Sequence, residues 1–180
     1  MKLIGLASLD EAGTRTVHVA EQISQTQAAV VAELREFWSD AAGHLGRARV
    51  CAGTVVDLAD VTVVPPVLPE ARVICIGLNY RDHAAETGKE VPTEPVMFAK
   101  YANSLAPHDA VVPVPAIVDE LDWEAELAVV IGKGGRDIPL GQALEHVAGY
   151  ACANDLSARV LQRRGGQWTR GKAKIGRAHV

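Results

Sequence analysis

The strongest hydrophobic pattern in the chain runs from Asp122 to Gly132, where two glutamates precede an unbroken apolar stretch. Alternate residues of a strand share a face, so Glu124 and Glu126 would project to one side, roughly 6.6 Å apart at a rise of about 3.3 Å per residue. The residues from Leu127 to Ile131 are apolar on both faces, which predicts a strand that enters a core.

Two like charges at the edge of a core repel each other and lose hydration. A shared proton, a basic partner or a divalent cation could compensate Glu124 and Glu126. The alternative is that both glutamates are solvated on an edge strand.

The N-terminal part of the chain reads as strands followed by a helix. Two short strand patterns lie within residues 1–19. Apolar residues then recur with helical spacing between Ala20 and Ala42, which predicts a packing helix with Trp38 in the core. A proline-rich connector at residues 65–69 suggests a boundary, so we expect residues 1–64 to form a separate N-terminal region.

Two further apolar strand patterns in the second half of the chain end in chemically active residues. Arg72 to Gly77 predicts a buried strand, and a short helix after it carries His83 and Glu86 on one face. A carboxylate one turn away can orient a histidine and raise its basicity, so the pair could act as a general base, although the spacing alone favours a solvated surface pair. Ala148 to Ala153 predicts another strand, and Asp155 follows it as a helix N-cap or as a third carboxylate of the site.

Composition excludes several classes of function. The chain has 180 residues, 48% hydrophobic and 22% charged, which is ordinary for one folded domain. A net charge of -4 offers no basic surface, so nucleic acid and anionic membranes are not expected partners. No signal peptide and no apolar run of ~18 to 20 residues is present, so we expect a cytoplasmic protein. Cys51, Cys75 and Cys152 are expected to be reduced, with Cys75 and Cys152 buried in strands.

The three carboxylates Glu124, Glu126 and Asp155 form a set of hard oxygen donors that contains no cysteine or histidine. Such a set suits Mg²⁺ or Mn²⁺, and three protein ligands would leave positions open for water and substrate. Zinc would prefer nitrogen or sulfur ligands. The residues therefore indicate a candidate site for a divalent cation.

Several motifs together resemble the fumarylacetoacetate hydrolase family in order and spacing. They are the segments 76–86, 122–127, 149–150 with 154–159, and 167–168 with 171–172. The resemblance covers about residues 65–174, and residues 1–64 match only loosely, as a variable N-terminal region. It implies an α+β, mainly β fold, a mixed β-sheet roll of which residues 65–174 form a partial catalytic domain.

The resemblance also implies an enzyme that acts on small 2-oxo or 2,4-dioxo carboxylates and cleaves a carbon–carbon bond through an enolate stabilised by Mg²⁺ or Mn²⁺. Matched by position, the site residues are the metal ligands Glu124, Glu126 and Asp155, the catalytic residues His83, Glu86 and Lys172, and the substrate contacts Arg81 and Gln162. Lys172 would place a positive charge beside the enolate, and His83 with Glu86 would activate water or move the proton. Isomerases and decarboxylases of aromatic catabolism occur in the same family and are the alternative, and a homodimer is expected.

Two departures from the family pattern limit this interpretation. Val160 stands where relatives commonly have aspartate, which removes an expected structural ion pair. Residues 175–180 resemble the translation of a sequencing adapter, so we expect a non-native tail and a roll that is incomplete at its C-terminus. A catalytically silent, truncated fragment is therefore an alternative to an active enzyme.

Overall fold

The computed structural model describes residues 1–48, 53–88 and 90–172, together with the backbone of residues 178–179. Short strands predominate in these residues and are joined by short helices, as the α+β, mainly β prediction requires. None of the described helices combines the length and the apolar composition that crossing a membrane demands.

The first sheet is antiparallel, and its strands are neighbours in the order β4-β3-β2-β1-β5. These strands are β1 (Leu3–Leu9), β2 (Arg15–Gln22), β3 (Gln27–Glu33), β4 (Val55–Asp57) and β5 (Thr62–Val64). β1 and β2 form a hairpin in which the backbone N–H of Thr14 donates to Asp10 Oδ1 at 2.7 Å. Gly13 adopts a φ of 79°, a conformation that favours glycine, so the turn depends on this residue.

Two helices, α1 (Leu34–Ser39) and α2 (Ala41–Ala48), lie beside this sheet and complete its core. Phe37 of α1 and Val19 of β2 are both fully buried and belong to one apolar cluster. Trp38 packs at the edge of that cluster and donates its indole N–H to the backbone oxygen of Pro66 at 2.8 Å. The predicted packing role of Trp38 is therefore confirmed.

The predicted helix from Ala20 to Ala42 is wrong over its first half. β2 continues to Gln22 and β3 begins at Gln27, because Ser24 builds a tight turn in which its Oγ accepts a hydrogen bond from Gln27 N at 3.0 Å. The segment from Ala28 to Ala32 contains two adjacent valines, whose branched side chains favour extended backbone. This segment pairs with β2 and buries Ala28 completely, and both interactions stabilise a strand. They outweigh the preference for a helix that the spacing of the apolar residues indicated.

The second half of the chain contains three smaller groups of strands. Its elements are β6 (Arg72–Gly77), α3 (Arg81–Glu86), β7 (Val96–Tyr101), β8 (Leu105–Ala106), β9 (Leu121–Asp122), β10 (Ala125–Ile131), β11 (Val147–Asn154), β12 (Ser157–Ala158), α4 (Arg159–Arg163), α5 (Thr169–Lys172) and β13 (Ala178–His179). β6 pairs with β7, β9 pairs with β12, and the remaining strands form a sheet in the order β10-β11-β13-β8. Short 3-10 helices span Leu58–Asp60, Ala102–Ser104, Leu140–His146 and Arg164–Gly166.

The strand predicted over residues 122–132 is present as β10 from Ala125 to Ile131, so it carries Glu126 but not Glu124. The predicted burial of Leu127 to Ile131 on both faces is wrong. Leu127, Val129 and Ile131 are 59%, 49% and 60% exposed, because the described residues leave one face of the β10–β11 ladder uncovered and only the alternate residues are partly buried. Cys152, which faces Leu127 across the β10–β11 ladder, is exposed as well, so its predicted burial is also wrong. Cys75 is partly buried, and Cys51 lies outside the described residues.

The burial of Phe37 gives a prediction about the first sheet. We expect Phe37→Ala to lower the free energy of unfolding by about 3 to 5 kcal/mol, because the truncation leaves a cavity between α1 and β2. Leu9→Ala removes a side chain that is 69% exposed and should change the free energy of unfolding by less than about 0.5 kcal/mol. Urea denaturation compares the two variants with the parent, and equal effects would contradict the assigned core.

Candidate active site

The two strands β10 and β11 bring the predicted carboxylates together where the ladder ends. Glu124 precedes β10, and its backbone N–H donates to Asn154 Oδ1 at 3.2 Å. The backbone N–H of Asp155, just after β11, donates in return to Glu124 O at 2.9 Å. These two hydrogen bonds tie the strand ends to each other, so Glu124 and Asp155 face the same space.

Lys172 at the end of α5 places its ammonium between these two carboxylates. The Nζ atom donates to Glu124 Oε2 at 2.7 Å, to Asp155 Oδ2 at 3.0 Å and to Ser157 Oγ at 2.9 Å. The Lys172 side chain is only 3% exposed and that of Asp155 is 7% exposed. A buried ammonium needs paired charge and hydrogen-bond acceptors, and this one has three oxygen partners.

Lys100 is a second buried lysine at the site, and the sequence analysis did not identify it. Its Nζ lies 2.6 Å from Asp155 Oδ1 and also donates to the backbone oxygen of Lys172. Asp155 Oδ1 is therefore a buried oxygen whose close partner is the charge of Lys100. The alternation of β7 could have indicated Lys100, because it places the lysine on the same face as Phe98.

Arg159 at the start of α4 is the third cation of the site, and it also was not predicted. Its Nη1 lies 2.6 Å from Glu124 Oε1, and its Nη2 donates to Asp122 Oδ2 at 2.6 Å. Burial alone would raise the pKa of Asp122, but hydrogen bonds from Arg159 and its charge outweigh burial and lower that pKa below its usual value. Gln162 Oε1 accepts a 3.0 Å hydrogen bond from Arg159, so this predicted substrate contact here orients the guanidinium.

Glu126 is the predicted carboxylate that forms no ion pair with a lysine or arginine in the part of the chain that the structure describes. Burial raises its pKa above the usual value, and the negative charges of Glu124 and Asp155 raise it further, against smaller opposing contributions from Lys172 and a hydrogen bond with Tyr80. The Tyr80 hydroxyl also accepts a hydrogen bond from the backbone N–H of Leu127 at 3.3 Å. Tyr80 therefore joins the segment that leads into α3 to the strand that carries Glu126.

Aromatic side chains close one side of the cluster. The Phe98 ring lies 5.1 Å from Lys172 Nζ, and Trp168 packs edge to face on Phe98 with ring centroids 5.7 Å apart. A Cβ atom on Gly77 would lie 2.3 Å from Trp168 Cζ3, so the indole fits only against glycine. Burial beside this wall, with the charge of Asp155, raises the pKa of the Cys75 thiol to about 11, as a site poor in water requires.

The structure does not bring the predicted proton-transfer pair together. His83 is partly buried and Glu86 is exposed on α3, and no ion pair joins these two described side chains. Arg81 is exposed and lines an open cleft with Leu78 and Thr93, beside the start of α3. The catalytic roles of His83 and Glu86 and the substrate contact of Arg81 therefore stay predictions.

The donors at the cluster fit a hard divalent cation in their chemistry. Glu124, Glu126 and Asp155 offer only carboxylate oxygens, which are the hard donors that such cations prefer. Within residues 1–48, 53–88 and 90–172, however, no three His, Cys, Asp or Glu side chains converge closely enough to hold an ion. The Lys172 ammonium occupies the centre at which Glu124 and Asp155 would meet a metal, and the assignment of the ligands stays a prediction.

Comparison with known sequences identifies relatives for the second half of the chain. The family described as "Fumarylacetoacetate (FAA) hydrolase C-terminal" matches residues 72–178. The human mitochondrial oxaloacetate tautomerase FAHD2A is 46% identical over 121 residues, which make up 66% of this chain and 38% of the human protein. The chain spans only 38 to 51% of the length of the first curated relatives that it matches.

Comparison with solved structures supports the same relationship. A 5-carboxymethyl-2-hydroxymuconate delta-isomerase from Mycobacterium smegmatis superposes with a TM-score of 0.65 at 27% identity, over 99% of this chain and 66% of that one. A fumarylpyruvate hydrolase from Pseudomonas aeruginosa, in complex with Mn²⁺ and pyruvate, gives a TM-score of 0.55 at 38% identity, over 66% of this chain and 53% of that one. The fold predicted from the sequence motifs is confirmed by these similarities.

The raised pKa of Glu126 predicts how the metal-free chain responds to pH. A carboxyl whose pKa is higher in the folded than in the unfolded state loses stability as the pH rises through that pKa. We therefore expect Glu126→Gln to raise the melting temperature in EDTA at neutral pH, and to lose this advantage below about pH 4, where the parent carboxyl is protonated.

Thermal melts in EDTA at the two pH values measure this effect. Glu145→Gln, which changes an exposed glutamate, is the matched control and should leave the melting temperature unchanged at both pH values. A neutral-pH melting temperature for Glu126→Gln at or below that of the parent would contradict the assigned electrostatics.

Proposed function

Because the chain belongs to the fumarylacetoacetate hydrolase family, we propose that it is a divalent-metal-dependent enzyme that acts on small 2-oxo or 2,4-dioxo carboxylates. Relatives of this chain are enzymes, among them a hydrolase, an isomerase and a tautomerase. The proposed reaction is cleavage of the bond between carbons 3 and 4 of the 2-oxo acid, by hydrolysis or as a lyase, so that carbon 3 leaves with the electron pair as part of an enolate. The observation that carries the proposal is the buried cluster in which Lys172 lies between Glu124 and Asp155.

Glu124, Glu126 and Asp155 are the residues that would hold Mg²⁺ or Mn²⁺. When bound, such a cation would polarise the 2-oxo group and stabilise negative charge on its oxygen. The choice of cation is supported by the hard oxygen donors, and by the related fumarylpyruvate hydrolase that is in complex with Mn²⁺ and pyruvate.

Four residues of the chain have distinct parts in the proposed chemistry. Cleavage of the bond between carbons 3 and 4 leaves negative charge on the enolate of the 2-oxo acid, and the Lys172 ammonium supplies a positive charge next to it. That charge acts strongly because Phe98 and Trp168 shield it from water. Arg159 holds Glu124 in place and thereby keeps the carboxylate oriented during turnover.

Proton transfer is assigned to α3 in this proposal. His83 would take a proton from water or return one to the product carbon, with Glu86 orienting the ring. Tyr80 supports this placement, since it anchors the start of the helix beside Glu126. The movement of one proton on and off the carbon next to a carbonyl is the step that a hydrolase, an isomerase and a tautomerase of 2-oxo acids would share.

Tautomerisation, isomerisation or decarboxylation of a 2-oxo acid is the second candidate. The specific observation in its favour is the 46% identity with oxaloacetate tautomerase, which exceeds the 38% identity with fumarylpyruvate hydrolase. Product analysis separates the candidates. Hydrolysis consumes water and yields two fragments, decarboxylation releases carbon dioxide, and tautomerisation changes only the ultraviolet absorbance of one compound.

The proposed ligands predict metal-dependent stability and turnover. Mn²⁺ at a hundred times its dissociation constant should stabilise the parent by about 2.7 kcal/mol, visible as a higher melting temperature. Glu124→Gln should abolish this shift and the turnover of acylpyruvates and oxaloacetate, whereas the exposed Glu145→Gln should retain both. An unchanged Mn²⁺ affinity in Glu124→Gln would contradict the ligand assignment, and a parent without turnover at saturating Mn²⁺ would indicate a catalytically silent chain.

The assignment of proton transfer to His83 predicts a separation of rate from binding. His83→Ala should lower kcat by about a hundredfold or more, because a positioned acid–base group contributes that much, and should leave Mn²⁺ affinity unchanged. His108→Ala is the matched control, since its imidazole is 81% exposed and lies outside the cluster. Steady-state kinetics and Mn²⁺ titration measure both quantities. Loss of Mn²⁺ binding together with kcat in His83→Ala would contradict this division of roles.

A further inference from the structure

The contacts of Lys172 divide the oxygens of the two carboxylates into an inner and an outer pair. The outer oxygens, Glu124 Oε1 and Asp155 Oδ1, lie 2.6 Å from Arg159 and Lys100, respectively. The inner oxygens, Glu124 Oε2 and Asp155 Oδ2, share the single ammonium of Lys172. One cation thus already bridges the two carboxylates at the centre of the site.

We propose that the Lys172 ammonium is the resident cation of this site and that a divalent metal binds by displacing it. The identity of the metal rests on the proposed function, whereas the exchange rests on the contacts of Lys172. Hard divalent ions bind carboxylate oxygens at 2.0 to 2.6 Å, depending on the ion, and the inner oxygens cannot accept a metal and an ammonium in one place. Metal binding therefore frees the lysine from Glu124 and Asp155.

Lys172 is better placed than Lys100 to leave the carboxylates. Lys100 touches only Asp155 among the carboxylates and also donates to the backbone oxygen of Lys172, so it fastens α5. The ammonium of Lys172 instead already lies 5.1 Å from the centre of the Phe98 ring, within the range of a cation–π contact. It keeps that stabilisation when it gives up its carboxylate partners.

The charges of the cluster give the exchange a consequence for substrate binding. Four carboxylates, including Asp122 and Glu126, face three basic side chains, so the ionised cluster has one surplus negative charge and repels an anionic substrate. Addition of a divalent cation reverses the sign to one surplus positive charge. The same event leaves the Lys172 ammonium available to pair with the substrate carboxylate or its enolate, so metal binding precedes and enables oxo-acid binding.

Calorimetric titration with Mn²⁺ tests the exchange directly. If the metal must displace the ammonium, Lys172→Met should bind Mn²⁺ about tenfold or more tightly than the parent, because removal of a competing positive charge within a few ångströms strengthens cation binding. Lys133→Met removes an exposed lysine and should match the parent. Equal or weaker binding by Lys172→Met, or no Mn²⁺ binding by any of the three proteins, overturns the proposal.

Amine labelling of the parent provides a test that does not depend on how the variant folds. Acetic anhydride in trace amounts, with peptide mass spectrometry, reports the accessibility of each lysine. Saturating Mn²⁺ should raise the labelling rate of Lys172 several-fold, and the exposed Lys133 should serve as a constant reference. A rate for Lys172 that stays unchanged or falls overturns the exchange. A failure of the proposed function would give a different result. Lys172 would be labelled faster with Mn²⁺, but no 2-oxo acid would be turned over at saturating Mn²⁺.

Discussion

The pairing of buried opposite charges at the end of β10 and β11 is the constraint on which the second half of the molecule depends. Glu124 and Asp155 are held side by side by backbone hydrogen bonds, and neither can be left there as an unpaired carboxylate. Lys172 satisfies both carboxylates at once. Loss of one partner from such a cluster would leave an uncompensated buried charge, which costs several kcal/mol.

This requirement explains why short helices without a large apolar face are held against the strands. α5 has four residues, and its last one is Lys172, whose ammonium and backbone oxygen both enter the cluster. α4 begins at Arg159, which reaches back to Asp122 and Glu124. The first sheet has its own apolar core around Phe37 and Val19, whereas electrostatic pairing fixes the elements around the site.

The same interactions connect stability with the proposed chemistry. A dry pocket with oxygen donors and nearby positive charge is costly to build and well suited to stabilising an enolate. Among the described residues no basic side chain forms an ion pair with Glu126, and its raised pKa marks where the site needs a proton or a cation. The proposed exchange of the Lys172 ammonium for a metal would use carboxylates that are already held in place.

Local patterns predicted part of this structure, and long-range contacts decided the rest. The strand that carries Glu126 and the position of Asp155 just after the next strand followed from alternation and apolar runs. The predicted helix from Ala20 to Ala42 was wrong because a serine turn and cross-strand pairing outweighed helical spacing.

The basic residues of the site were harder to predict than the acidic ones. Lys100 was missed because its partner Asp155 lies 55 positions away in the chain, a pairing that no local pattern encodes. Lys172 and Gln162 were indicated only by family resemblance, and the structure places Gln162 on Arg159. His83 and Glu86 satisfied the helical spacing of a pair, yet spacing alone does not bring two side chains into contact.

Proton exchange on pyruvate tests the central claim most directly, because enolate formation is the step shared by every reaction considered for this site. The methyl signal of pyruvate in D₂O is followed by proton NMR with the protein and Mg²⁺, and in parallel with EDTA. The account predicts metal-dependent replacement of the methyl protons by deuterium, which is lost in Glu124→Gln. A rate with the Mg²⁺-loaded protein no greater than with Mg²⁺ alone would contradict the claim that this buried cluster stabilises an enolate.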